Sequence, residues 1–340
     1  MHKINSENVA AVLDLCAKAE HIVITGHRSP DGDALGSTLA LSHYLSAKGF
    51  QNKVILPDDY PTFLHWMKGN DEVIIFDAKP DLAGGLIANA DLIFTLDYND
   101  LSRTGSMAEA LRNSKADMVM IDHHQQPSDY AKFTFSDTSS CSTAQMVYDF
   151  IEAAGDVALI DAEMGECIYC GIMTDSGSFR FPSVQAKTHR IAAQLIENGL
   201  DHAKVHMAVY DTNLLDRLRL VGYALSEKLE VLEDLNVAII YLSKEELDAH
   251  HYRAGDTEGL VNQALSIDGV KCAVFIREGN NKVKMSFRSK GDFDVNEFAR
   301  AHFNGGGHKN AAGGAVSNAT VLEVLEQFKA AISTYESQLK

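Results

Sequence analysis

The chain has 340 residues, 46% of them hydrophobic and 23% charged, with a formal net charge of −17 at pH 7. That length suits about two domains, and the ordinary composition, with few prolines and no low-complexity run, excludes a largely disordered chain. The acidic excess argues against a long polyanion as ligand, because proteins that track a phosphate backbone present basic surface. A small or short phosphorylated substrate fits the charge better than long duplex nucleic acid.

The first residues, MHKINSENVAAVLDLCAKAE, are too polar for a signal peptide and read as an amphipathic helix. No apolar run approaches the roughly 18 residues of a membrane span, so no membrane is expected. Five cysteines, an odd number, fit a reducing compartment better than a disulfide framework, and the cytoplasm is the expected location.

HIVITGH (21–27) is a short β-branched run, followed by a helical pattern over 34–49. KVILP (53–57), DLIFTLD (91–97) and DMVMID (117–122) are further short apolar runs. Runs of this kind separated by helices predict parallel strands buried on both faces. Helices are expected over 142–154, 161–172 and 185–198, the last stopped by Gly199. The Leu- and charge-rich stretch that follows reads as a helical connector, so the division is 1–200, a linker over 201–234, and a second domain over 235–340. VAIIYL (237–242) opens that domain, and KCAVFIRE and KVKMSFRS flank a Gly-Asn-Asn hairpin turn. VNEFARAHF (295–303) is a helix, 304–314 a glycine-rich loop, and a helix from about Val321 closes the chain. The fold class is α/β in two lobes, a mostly parallel sheet followed by a smaller α/β domain.

Four segments place Asp or His where a strand or helix stops. They are His27-Arg28-Ser29-Pro30-Asp31-Gly32-Asp33, Asp97-Tyr98-Asn99-Asp100, Asp122-His123-His124, and Asp175 in GIMTDSGSF. Each alone has a plainer reading as a turn, a helix cap or a solvated pair. Ligands of open α/β sheets bind at the carboxyl ends of the strands, however, and that topology gathers all four at one spot. Imidazole and carboxylate donors together suit Mn²⁺, and tolerate Mg²⁺, Zn²⁺ or Fe²⁺. Two divalent ions about 3.5–4 Å apart would activate water and neutralise a phosphoryl group.

HRSPDGDALGS, LDYND, DHHQ and GIMTDSGSF resemble, in order, the four motifs of the DHH phosphoesterases. SFRSK and GGGHKNAAGG resemble the DHH-associated domain found in one branch, so the likeness runs from about residue 20 to 315. The resemblance implies that His27 and Asp31 bind a first metal, that Asp97 bridges, and that Asp33, His123 and Asp175 bind a second. It implies that His124 faces the scissile phosphate, with Asp97 and His124 at the centre of catalysis, and that Asp122 orients a neighbouring histidine. Arg288, Ser289, the backbone of Gly305, Gly306 and Gly307, and His308 would hold substrate, with Arg103 a further phosphate contact. The compact form is similar to nanoRNases and 3′-phosphoadenosine 5′-phosphate phosphatases. It implies two divalent ions, Mn²⁺ before Mg²⁺, short RNA or DNA oligonucleotides or small nucleotides as substrates, and a homodimer. Rival expectations are an exopolyphosphatase or other small-phosphate hydrolase, and a non-catalytic nucleotide or RNA binder. The full donor set disfavours the last.

Cys167 and Cys170 have thioredoxin-like spacing but fall in a helical pattern and read as core; His250-His251-Tyr252 reads as a solvated helix end, and Trp66 as locally packed.

Overall fold

The computed structural model describes residues 4–279 and 281–340, and the chain divides into two compact units, Met1–Thr212 and Asn213–Lys340. In the first unit the strands are β1 (Ile22–Thr25), β2 (Asn52–Leu56), β3 (Ile74–Ile75), β4 (Leu92–Leu96), β5 (Asp117–Asp122) and β6 (Phe133–Ser136). All are parallel, in the order β3-β2-β1-β4-β5-β6. The helices are α1 (Ser6–Cys16), α2 (Gly32–Ala47), α3 (Pro80–Ala88), α4 (Ala108–Asn113), α5 (Thr143–Ala153), α6 (Ala162–Asp175), α7 (Ala186–Glu197) and α8 (His202–Tyr210).

The continuous apolar runs have a direct cause. Ile22, Ile24, Leu92, Phe94 and Leu96 enter a core shared with α1, α2, α5 and α6, while Val23, Ile93 and Met118 enter a second core with α3 and α4. Both sheet faces are covered, so alternation disappears. β3 and β6 escaped the sequence reading: β3 is two residues long, and β6 carries the mixed sequence FTFS on the sheet edge.

The second unit is a six-stranded sheet in the order β11-β12-β10-β9-β8-β7. Its strands are β7 (Leu229–Leu232), β8 (Val237–Leu242), β9 (Cys272–Glu278), β10 (Lys282–Ser289), β11 (Gly306–His308) and β12 (Ala311–Ser317). Only β8 and β9 run parallel. Helices α9 (Leu215–Glu227), α10 (Lys244–Ala249), α11 (Leu260–Leu265), α12 (Val295–His302), α13 (Val321–Ser333) and α14 (Glu336–Leu339) complete it. The expected hairpin is β9–β10; Asn280 of its Gly-Asn-Asn turn lies outside the described residues, as do the first three residues of the amphipathic helix.

Two expectations change. Residues 201–234 are not one helical connector: α8 buries Val205 and Val209 in the first unit's core, whereas Leu220 and Ala224 of α9 pack into the second, and 229–232 are strand. The glycine-rich stretch 304–314 is not a loop but most of the β11–β12 hairpin, whose small residues let backbones approach closely. A Cβ on Gly305 would fall 2.1 Å from the Gly313 carbonyl oxygen. No helix among the described residues is long and apolar enough to cross a membrane.

Candidate metal centre

Strand register alone aligns the first donors. Thr25 pairs with Thr95 and Leu96 with Ile121, so continuing each ladder one or two residues brings His27, Asp97 and Asp122 level along the carboxyl edge. The order β3-β2-β1-β4-β5-β6 reverses between β1 and β4, which is the crevice where open α/β sheets place ligands.

Asp97 is 2% exposed and takes a left-handed backbone, φ 63°, at the end of β4. Asp tolerates this region better than most residues, and such outliers gather at functional sites. Its two carboxylate oxygens face different groups. Oδ2 lies 3.3 Å from His27 Nε2, and Oδ1 lies 3.5 Å from His123 Nε2 and accepts a hydrogen bond from Thr143 Oγ1 at 2.9 Å.

On the Oδ2 side, His27 Nε2 is also 3.8 Å from Asp31 Oδ2. Asp31 is the N-cap of α2, its Oδ1 accepting from Asp33 N and Ala34 N, which leaves Oδ2 facing His27. On the Oδ1 side, His123 Nε2 lies 3.7 Å from Asp33 Oδ2 and 3.5 Å from Asp175 Oδ2. Asp175 is the last residue of α6. His27, Asp31 and Asp97 form one group of donors within 4.8 Å of one another, and Asp33, His123 and Asp175 form another.

These spacings test whether the residues fit an ion. Donors bound to one metal at about 2.1 Å sit roughly 3–3.6 Å apart, longer than a good N–H···O bond. Separations of 3.3–3.5 Å to Asp97 and Asp175 fall in that range, those to Asp31 and Asp33 at 3.8 and 3.7 Å lie just above it, and both histidines anchor their other nitrogen to a backbone carbonyl. His27 Nδ1 lies 2.9 Å from Arg28 O, and His123 Nδ1 lies 3.2 Å from Ser140 O. That arrangement fixes ring orientation as metal-ligating histidines require. The donor set is that of a divalent-metal site.

Burial and the charges of Asp97 and Asp175 push the Asp33 carboxyl well up. Burial also lifts Asp175, to about 6, against the pull of His123. Burial works against charge on His27, but Asp97 and Asp31 outweigh it and hold the ring's pKa up at about 9. Metal coordination needs a neutral imidazole, so at pH 7 an incoming ion must displace the His27 proton. Binding is therefore expected to strengthen as pH rises from 6 toward 9 and to release about one proton or more per chain at pH 7. Calorimetry with Mn²⁺ in buffers of different ionisation enthalpy measures the proton count, and a buffer-independent heat would contradict this.

Asp122 is fully buried and grips its neighbour twice. Its Oδ1 is 2.8 Å from His124 Nδ1, and its Oδ2 accepts the His124 N–H at 3.1 Å. With Nδ1 engaged there, Nε2 is the nitrogen through which a charged His124 can donate to substrate.

Thr143 and Ala144 are partners the sequence reading missed. At the start of α5 their N–H groups donate to Asp33 Oδ2 at 2.6 Å and Oδ1 at 2.8 Å. A helix N-terminus stabilises a carboxylate, and each oxygen keeps a second lone pair for an ion. The signal was the Ser142 N-cap in SSCSTAQ, legible as a helix start but not as an anchor for a donor 110 residues away.

Arg103 is half-buried in the 3₁₀ helix Leu101–Met107 that follows β4; its charge opposes that of His27, and its carbonyl accepts the Arg28 N–H at 2.8 Å. In the second unit, Arg288 and His308 both pair with Ala311, so they lie level on β10 and β11, about 10 Å apart across β12. Ser289 is buried, its hydroxyl donating to Phe293 O and accepting from Asn310 Nδ2. The N–H groups of Gly305 and Gly307 donate to Ala299 O and Asn296 Oδ1, so these two glycines serve the hairpin's own packing.

Cys167 and Cys170 are buried on α6, and all five cysteines are free. His250 caps α10 and lies 4.6 Å from the Tyr223 ring, and Trp66 packs against the first unit's core.

A parallel α/β sheet with His and Asp donors at its switch point, joined to a second α/β unit, defines a class of phosphate-ester hydrolases, and the chain belongs to the DHH family. Residues 21–172 match the DHH family N-terminal domain and residues 234–340 the DHHA1 domain. The chain is 30% identical over 320 residues to the bifunctional oligoribonuclease and PAP phosphatase NrnA of Thermus thermophilus, covering 92% of this chain and 89% of that protein. The corresponding Bacillus subtilis protein is 27% identical over 297 residues, covering 87% of this chain and 89% of that one. The crystal structure of an exopolyphosphatase-related protein from Bacteroides fragilis superposes with a TM-score of 0.93 at 39% identity, covering 99% of this chain and 98% of that one.

Proposed function

We propose that the chain hydrolyses short oligoribonucleotides and 3′-phosphoadenosine 5′-phosphate at a two-ion centre. The observation that carries this reading is Asp97, whose two oxygens face separate donor groups. His27 and Asp31 with Asp97 would hold one ion, and Asp33, His123 and Asp175 with Asp97 the other, Mn²⁺ being the better match to the mixed donor set. Ions held there supply Lewis-acid charge, lowering the pKa of water and neutralising a phosphoryl group.

The chain's own residues do the rest. Thr143 and the α5 N-terminus hold Asp97 and Asp33 in place. Asp122 orients His124, which donates to a phosphoryl oxygen or to the leaving group. In the first unit Arg103 is the phosphate contact, in the second Arg288 and His308 are, and binding far from the reacting bond sets the preferred substrate length. Free, buried cysteines agree with a cytoplasmic enzyme.

The test is Mn²⁺-dependent product release from RNAs of two to five nucleotides, 3′-phosphoadenosine 5′-phosphate, a linear diadenylate and polyphosphate. Chelator-sensitive turnover of the short nucleotides is expected. The likeness to an exopolyphosphatase-related protein makes polyphosphate the informative competitor, and turnover of polyphosphate alone would refute the substrate assignment.

A further inference from the structure

We infer that Asp58, outside every motif described above, is a positioning residue for His27 and Asp31, acting through the backbone of the turn between them; this rests on those two residues being metal donors. Only Arg28, Ser29 and Pro30 separate them, so the shape of that turn sets the 3.8 Å approach of His27 Nε2 to Asp31 Oδ2.

The turn is unfavourable on its own. Ser29 takes φ 55°, in the left-handed region that side-chain-bearing residues avoid. Pro30 follows it, and a proline biases the preceding residue toward extended backbone. An outside anchor is therefore needed.

Two neighbouring strand ends provide it. Just beyond β2, Asp58 Oδ1 accepts the Ser29 N–H at 2.6 Å, while its Oδ2 receives Arg28 Nε at 3.4 Å. From beyond β4, the Arg103 carbonyl accepts the Arg28 N–H at 2.8 Å. The Arg28 stem lies against Gly105, where a Cβ would come within 2.8 Å of Arg28 Cδ, and Gly105 itself has φ 58°. His27 Nδ1 meets the Arg28 carbonyl at 2.9 Å, so the pinned peptides bear directly on the imidazole. The Arg28 side chain is 53% exposed, so its ion pair with Asp58 contributes little. The charge-assisted bond to the Ser29 N–H is the effective contact.

The experiment is Mn²⁺ titration of the chelator-treated full-length chain, counting free Mn²⁺ by electron paramagnetic resonance beside a thermal melt. Asp58→Ala is expected to weaken Mn²⁺ binding about 10- to 100-fold, the range typical of residues that orient metal ligands. Asp58→Asn, whose amide oxygen still accepts from Ser29, should lose less. Adding Ser29→Gly to Asp58→Ala should recover most of the loss, because glycine enters the left-handed region without steric cost. Arg28→Gln should bind nearly as the wild type does. If Asp58→Ala does not fold, Asp58→Asn with and without Ser29→Gly makes the same comparison. Unchanged Mn²⁺ affinity in the Asp58 variants, or a loss that Ser29→Gly leaves in place, overturns the inference. A wild-type chain that binds no Mn²⁺ overturns the metal centre itself, a separate result.

Discussion

Asp97→Ala is expected to lower turnover by at least about a thousandfold while leaving the chain folded. Asp97 offers one oxygen to each donor group. Asp97 Oδ2 meets His27 and Oδ1 meets His123, and Thr143 holds the second oxygen in place. Removal separates the two histidines electrostatically as well. Although burial opposes charge on Asp97, the imidazoles of His123 and His27 hold its carboxyl well below the usual range, so the pocket is arranged around an ionised group. Asp97→Asn keeps the volume and one oxygen but loses the charge, and should fall between wild type and Ala. Turnover and Mn²⁺ binding are to be measured with circular dichroism as the control for folding. A folded Asp97→Ala chain with more than a tenth of wild-type activity would sink the assignment of Asp97 as the bridging donor.

Gly171→Ala is expected to destabilise the first unit by about 2 kcal/mol and to weaken Mn²⁺ binding in proportion beyond that loss. Gly171 lies on α6, where α2 and α5 converge. A Cβ there would stand 2.5 Å from the Ala144 Cβ and 2.8 Å from Asp33 Oδ1. The same close approach recurs along α2, since a Cβ on Gly36 would fall 2.5 Å from the Cys167 carbonyl oxygen. The sign decides the matter. In an exposed helix Gly→Ala stabilises by roughly 0.5–1 kcal/mol, so a melting midpoint at or above the wild-type value would show that the three helices are not packed this tightly. Loss of binding follows because the added methyl group displaces the Asp33 carboxylate from between its two backbone donors.

The parts of this architecture legible in the sequence are those whose physics is local. HIVITGH, DLIFTLD and DMVMID announce strands because burial on both faces demands unbroken apolar runs. His27, Asp97 and Asp122 stand just where such runs stop, and the parallel topology sends those stops to one edge, whereas Asp31 and Asp33 open α2 and Asp175 ends α6. Contacts in which a backbone N–H is one partner carry no such mark. Neither the α5 amides on Asp33 nor the Asp58 bond to Ser29 follows from residue type or spacing. The hairpin at 304–314 was hidden for a related reason: glycine favours turns in isolation, and only close packing of β12 beside β10 and β11 turns it into strand. The connector was misjudged because α9 faces one unit and α8 the other, a division set by packing partners rather than by periodicity.

The parallel sheet has a consequence for the order of assembly. Each neighbouring pair in it is joined through a crossover, and the donors it gathers run from His27 to Asp175. Contacts of such sequence separation form late, after the loops between them have closed. A chain emerging from the ribosome therefore carries no complete centre until Asp175 is out and α6 has seated against α2. Metal binding by this unit therefore waits on α6, and its appearance during refolding reports that Asp175 has joined the strand-end donors.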